Sequence, residues 1–261
     1  MSRTLFRRWG AVWPAFRNFR DAAPAACTVV LICLAVFFIQ QICSNVSFVS
    51  GYTFSYLLLH CFGLCPALLA SGFVWQPVTY VFLHASLAHL GFNALAILTL
   101  GSGVELEIGA QRFWHVFLLG GVVGGVAWVG FDLALVRLAQ GAWHVPHFLV
   151  ALIAHAIRHR VVTPEGNAIC VGASGGIFAL VGVCAALFPR REMLLFMVWP
   201  VRARRFAVAL GVGTIVLVLD GVGPVAHLTH LAGGVAGYLY GLRLAAQGIG
   251  DGCADPGTAA A

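Results

Sequence analysis

The chain contains no lysine, and charged residues of every kind occupy only 9% of its 261 positions. A soluble domain of ordinary make-up carries roughly 25%, so too few charges are present to coat a water-facing surface. That shortage excludes an ordinary water-soluble enzyme and a disordered chain. The 15 basic residues are all arginine, set against 9 acidic ones for a formal charge of +6. They are scattered between apolar runs rather than gathered in one patch, which excludes a nucleic-acid binder. No H-E-x-x-H occurs and no Cys/His spacing matches a zinc module, so neither a metal nor another cofactor is expected. What the chain has in abundance is apolar: 61% hydrophobic residues, 31 glycines and a mean hydropathy of +0.93. This is the composition of an all-α, polytopic membrane protein.

A spanning helix needs about 20 predominantly apolar residues. Six stretches approach or meet this: 27–46, 86–104, 113–136, 172–188, 206–221 and 225–245. The fourth and fifth are short and glycine-rich, which suits helices shielded by neighbours. Two further apolar stretches, 54–70 (with His60, Gly63 and Pro66) and 144–157 (with His147 and His155), read as interfacial or re-entrant helices. The expected organisation is a basic tail over 1–25, a membrane domain over 26–247 with long outer loops at 45–85 and 137–171, and a short tail over 248–261.

The arginines orient the bundle. Arg3, Arg7, Arg8, Arg17 and Arg20 precede the first span, and Arg112 lies between the second and third. Arg190, Arg191, Arg202, Arg204 and Arg205 follow the fourth, and Arg243 closes the sixth. Only Arg137, Arg158 and Arg160 fall on the other side. The positive-inside bias therefore places both termini in the cytoplasm. A signal peptide is not expected, because the basic stretch is long and no small-residue cleavage site follows Cys27–Ile42. Several of the eight cysteines lie inside spans and read as small buried hydrophobes, while Cys61, Cys65 and Cys170 fall in outer loops and could pair there.

Strongly polar residues inside a span are functional candidates by default, because they are costly in hydrocarbon. Three groups qualify: His84-Ala-Ser-Leu-Ala-His89-Leu-Gly-Phe-Asn93 entering the second span, Gly172-Ala-Ser174-Gly175-Gly176-Ile-Phe178 opening the fourth, and His227-Leu-Thr-His230-Leu-Ala-Gly233-Gly234-Val-Ala-Gly237 opening the sixth. Each has a bland explanation alone, since Ser back-bonds to helices and small-x-x-x-small spacing packs them. Together they are harder to dismiss. The three spans run in the same direction, and His89, Ser174 and His230 each lie within about two turns of the same membrane face. A hydroxyl, imidazoles and a side-chain amide at one level suit acyl transfer. Serine needs a base to become a nucleophile, and the resulting oxyanion needs preorganised donors. Asn93, His89 and the Ser174 N–H could supply them. Gly233 and Gly237 would let span six approach span four, with Gly172, Gly175 and Gly176 serving from the other side. Asp220, the nearest carboxylate, reads as a helix-end residue, so the arrangement is a dyad.

These motifs resemble the rhomboid family of intramembrane serine proteases over roughly residues 70–245. Four pieces occur in the family's order: His89 and Asn93, Gly101 and Glu105 (Gly-x-x-x-Glu), Gly172-Ala173-Ser174-Gly175, and His230 with Gly233 and Gly237. The resemblance implies a six-transmembrane-helix rhomboid-like bundle in which Ser174 is the nucleophile, His230 its general base and acid, and His89 and Asn93 oxyanion partners. It further implies transmembrane protein substrates met within the lipid bilayer. Two positions depart from the pattern. Gln76 follows Trp75 where the family usually has arginine, which puts anchoring of the first outer loop in question. Phe178 stands where many members have tyrosine against the histidine ring. His84 and His227 read as additional structural imidazoles. His144, His147, His155 and His159 read as interfacial residues rather than metal ligands.

The alternative is a catalytically inactive rhomboid-like protein that binds transmembrane clients. Retention of both Ser174 and His230 speaks against it, and the lack of two matching helical halves speaks against a transporter. The expected location is a prokaryotic plasma membrane, with the active site opening to the outer face. Reporter fusions after residues 140 and 195 should report opposite sides of that membrane; the same side for both would overturn the topology.

Overall fold

The computed structural model describes residues 21–44, 52–139, 168–195, 199–219 and 224–250. Outside these lie the first 20 residues, the 144–157 segment with His144, His147 and His155, and also His159, Asp220 and the tail from 251. Six helices occupy the positions of the six apolar stretches. The first, α1 (Pro24–Ile42), begins at a proline, whose missing N–H is no loss in a first turn. Its next two N–H groups find an unusual acceptor. Ala25 and Ala26 donate to the two carboxylate oxygens of Glu105, each at 2.8 Å. Glu105 is buried, and its charge lies at the positive end of the α1 dipole. The glutamate of the Gly101–Glu105 pair thus clamps the start of the first span to the end of the second.

Between α1 and the second span lie three short helices, α2 (Phe54–Phe62), α3 (Pro66–Ala70) and α4 (Gln76–Thr79), then a 3-10 turn at Tyr80–Phe82. The apolar stretch 54–70 is thus a broken pair. At 1.5 Å per residue, α2 is only about 14 Å long, too short to cross a bilayer. Thr53 caps it, accepting from the Tyr56 N–H, and the break falls at Gly63-Leu64-Cys65. Gln76 holds that break together. Its side-chain amide donates to the His60 carbonyl at 2.8 Å, and its oxygen accepts from the Cys65 N–H at 3.1 Å. Trp75 adds an indole donor to the Cys61 carbonyl, and Thr79 donates to Phe62. The anchoring that the missing arginine put in question is therefore supplied by a fully buried glutamine. Cys61, Cys65 and Cys170 are thiols and are not paired with one another.

The second span comprises α5 (Leu87–Ala96), a wider π-type turn at Ile97–Gly101 and α6 (Ser102–Ile108). Gly109, with φ of 82°, turns the chain into α7 (Ala110–Ala139). The fourth span, α8 (Ser174–Leu187), has only 14 residues, of which 11 are buried. A helix of about 21 Å cannot bridge a 30 Å core alone, and it need not. It sits in the centre, packed against α7 and α10 (Pro224–Ala246), with α9 (Ala203–Leu219) more loosely beside it. A two-stranded antiparallel ribbon, β1 (Glu192–Leu195) and β2 (Trp199–Arg202), joins α8 to α9, with Glu192 opposite Arg202. Arg191 reaches back to pair with Glu107 at the end of α6.

Close helix approach is the bundle's organising feature. A methyl added at Gly237 would collide with the Ala179 carbonyl, and one at Gly233 with that of Gly175. From the α8 side the matching residue is Gly182, whose added carbon would meet the backbone of Gly234 and Tyr238. Gly176 instead faces Phe117 of α7, and Gly172 faces His89. The span-six glycines thus face the α8 backbone, while those on span four are shared among three neighbours.

Replacing Glu105 by Ala strands two N–H donors and should lower stability by on the order of 3 kcal/mol, read as an earlier thermal midpoint in detergent. An unchanged midpoint would refute the clamp. Gln76→Ala should cost about 1–3 kcal/mol and raise hydrogen exchange at Cys65 without altering the α7–α8–α10 core. Unaltered exchange at Cys65 would show that the loop is held elsewhere.

Candidate active site

The site assembles at the ends of three helices, each placed by a local device. On the second span Ser86 caps α5, its hydroxyl accepting from the His89 N–H at 3.1 Å. This sets His89 in the first turn, with Asn93 one turn on along the same face. On the fourth span the chain must turn sharply before Ser174. Gly172 makes the turn with φ of 125°, a value that side chains rarely adopt. The turn also leaves no room, since an added carbon there would stand 2.6–2.8 Å from the His89 ring. The Gly172 N–H donates to the Tyr80 carbonyl at 3.0 Å, and the Tyr80 hydroxyl donates to Gly121 of α7 at 2.6 Å. Just before it, Cys170 and Leu64 exchange backbone hydrogen bonds of 2.8 and 3.0 Å. The first outer loop thereby braces the segment that delivers the serine.

Ser174 is the first residue of α8, where N–H groups lack intrahelical partners and the helix dipole is positive. Its Oγ lies 2.7 Å from Nε2 of His230 on α10. Phe178, one turn along α8, stacks face to face on the His230 ring with centroids 4.3 Å apart and planes within 6°. The stack fixes the plane of the imidazole while offering it no hydrogen bond. His227 meets the same ring edge-on at 5.8 Å. Among the described residues no carboxylate bonds the His230 ring, and Asp220 lies outside them. The Asn93 amide nitrogen is buried and donates to no protein acceptor among the described residues. It borders the same cavity as Ser174.

His84 stands just outside α5 and packs edge-on to His89 at 5.1 Å. It is fully buried, and neither ring nitrogen bonds to a described residue. Burial, reinforced by His89, pushes its pKa down to about 4, so the ring is neutral across the physiological range. Of the residues named from sequence, Ser174, His230 and Phe178 meet directly. Gly172, His89 and Asn93 face one another at the adjoining turn. Gly175, Gly233 and Gly237 are packing positions beneath them. Tyr80 was not identified, nor was the Leu64–Cys170 bridge. Neither carries a motif, because both act through backbone carbonyls or a single distant contact.

Two cavities open from this level. The larger, about 690 Å³, runs from Asn93 and Ser174 between α5–α6 and α9 towards Arg191 and Glu192, with mostly apolar walls. The smaller, about 360 Å³, lies between α9 and α10 and reaches His230. Phe178 borders both.

The rhomboid domain family model matches residues 71–247. Rhomboid protein 1, mitochondrial, of Saccharomyces cerevisiae is 26% identical over 181 residues, 67% of this chain and 44% of the relative. The RHOMBOID-like protein 1 of Arabidopsis thaliana is 26% identical over 171 residues, 64% of this chain and 34% of that one. The rhomboid protease GluP of Bacillus subtilis is 39% identical over 61 residues, 23% of this chain and 12% of that one. In each case the chain spans less than half of the relative's own length. The matched region holds Ser174, His230, His89, Asn93 and the helices that carry them, and the chain belongs to the rhomboid family of polytopic membrane proteins.

Proposed function

We propose that this protein is an intramembrane serine endopeptidase that cleaves transmembrane segments of membrane-protein substrates. The observation that carries the reading is the 2.7 Å contact between Ser174 Oγ and His230 Nε2, with the imidazole held in plane by Phe178. In this reading His230 takes the Ser174 proton as Oγ attacks the scissile carbonyl. The tetrahedral oxyanion is met by the Ser174 N–H, the Asn93 amide and His89 as preorganised donors. His230 then passes its proton to the leaving amine. A water, deprotonated by His230 in turn, hydrolyses the acyl-enzyme and restores the Ser174 hydroxyl. No metal or organic cofactor enters these steps.

The cavity beside α9 supports the substrate class. Its apolar walls suit an unwound, extended stretch of a transmembrane segment rather than an intact helix, and it ends on the nucleophile. A segment must expose its backbone to be cut, so sequences that unwind easily in the bilayer are the expected substrates. The distribution of arginines supports cytoplasmic termini and a site reached from the outer face.

Purified protein in bilayers should cleave a reporter whose transmembrane segment carries helix-breaking residues. Ser174→Ala and His230→Ala should each lower the rate by roughly 10³-fold or more at equal folding. A fluorophosphonate probe should label the parent and not Ser174→Ala. Cleavage undiminished in Ser174→Ala would end the hydrolytic reading, and binding of the segment without any cleavage would mark a client binder instead.

A further inference from the structure

Apart from His230 at its end, the cavity between α9 and α10 holds no group used in the chemistry above. Gly211 and Thr214 of α9 and Leu231 and Val235 of α10 wall it, with Arg204 at one end and His230 at the other. From Arg204 to Thr214 is about 15 Å at 1.5 Å per residue. That is half of a hydrocarbon core of roughly 30 Å, one leaflet deep. The volume of about 360 Å³ is too small for a helix, since even a 10 Å cylinder of that length encloses more than about 1,000 Å³. It suits an extended apolar chain.

Among the described residues lining it, Arg204 carries the one full charge, with Arg202 and Arg205 near but outside the cleft. Arg202, Arg204 and Arg205 are exposed, and among the described residues none forms an ion pair with a carboxylate. Arg204 is also firmly placed, because the first two N–H groups of α9 bond the Arg191 and Pro189 carbonyls at 2.8 and 3.3 Å. A guanidinium at the headgroup level above a leaflet-deep apolar slot matches an anionic amphiphile. Gly211 adds a second indication. An added carbon there meets no described atom within 4 Å, so this glycine, unlike those between α8 and α10, leaves space that no described residue fills.

We infer that the cleft between α9 and α10 is a binding site for an anionic diacyl phospholipid, one acyl chain in the cleft and the phosphate at Arg204. The site stands independently of whether the dyad hydrolyses peptides. Its occupant braces α9 on the side away from the larger cavity, and so bears on how readily that helix moves.

The test is lipid retention by the full chain, read by native mass spectrometry after exchange into bilayers of equal phosphatidylglycerol and phosphatidylcholine. The parent should retain one phosphatidylglycerol in preference. Arg204→Gln should lower that retention about fivefold, the effect of losing one cation near a charged headgroup. Gly211→Phe, which fills the cleft without displacing backbone, should abolish it. Arg205→Gln, outside the cleft, should change it by less than about twofold. Equal losses for Arg204→Gln and Arg205→Gln would reduce the effect to diffuse surface attraction and overturn the site. Retention untouched by Gly211→Phe, equal retention of phosphatidylcholine, or retention of a free fatty acid instead would overturn it as well. Near-parental thermal midpoints for the variants keep the comparison free of misfolding.

Discussion

A serine and a histidine on separate helices can share a proton at 2.7 Å only if those helices approach until their backbones touch. Most of this molecule follows from that requirement. At Gly233 and Gly237 on one helix and Gly182 on the other no side chain stands between α8 and α10, so carbonyls and Cα atoms meet there. In lipid there is no hydrophobic drive to bring helices together, because the tails are as apolar as leucine. Dispersion contacts between bare backbones replace it, and each works only at close range. The glycines that cost flexibility in a soluble helix are therefore the source of cohesion here.

The second constraint is that every buried polar group must find a partner, because the bilayer core has no water to offer. Several buried groups meet it with long-range pairings, whereas the His84 ring nitrogens and the Asn93 amide nitrogen bond no described residue. Glu105 serves the start of α1, Gln76 serves two backbone groups at the break in the first outer loop, and Tyr80 serves both Gly121 and Gly172. The last of these ties the loop to the turn that presents Ser174. Gln76 shows how a departure from the family's usual residue is absorbed. Loop anchoring needs a donor and an acceptor in register with His60 and Cys65, and a primary amide carries both.

Helix α9 stands apart. It has cavities on both flanks, and among the described residues Gly211 and Gly213 contact nothing that would explain them as packing residues. One cavity beside it ends on Ser174 while the other ends on His230. What fills each cleft therefore bears on the separation of nucleophile and base.

Much of this was legible in the residues themselves. Apolar runs of spanning length are local in sequence, so the six helices could be located to within a few residues. The level shared by His89, Ser174 and His230 followed from counting turns, since rise per residue is constant. The break at Gly63-Leu64-Cys65 was only hinted at by a glycine and a proline, and the partners of Glu105 and Gln76 were not readable at all. Those contacts join residues far apart in the chain, and no spacing rule reaches across them. Sequence by itself determined the membrane setting, the family and the residue types at the site, because composition, periodicity and motif are properties of the chain alone. Tertiary structure decided which glycine meets which carbonyl, that Phe178 lies flat on His230, and that two clefts rather than one flank α9. Each of these depends on distances between helices, set by the summed packing of the whole bundle.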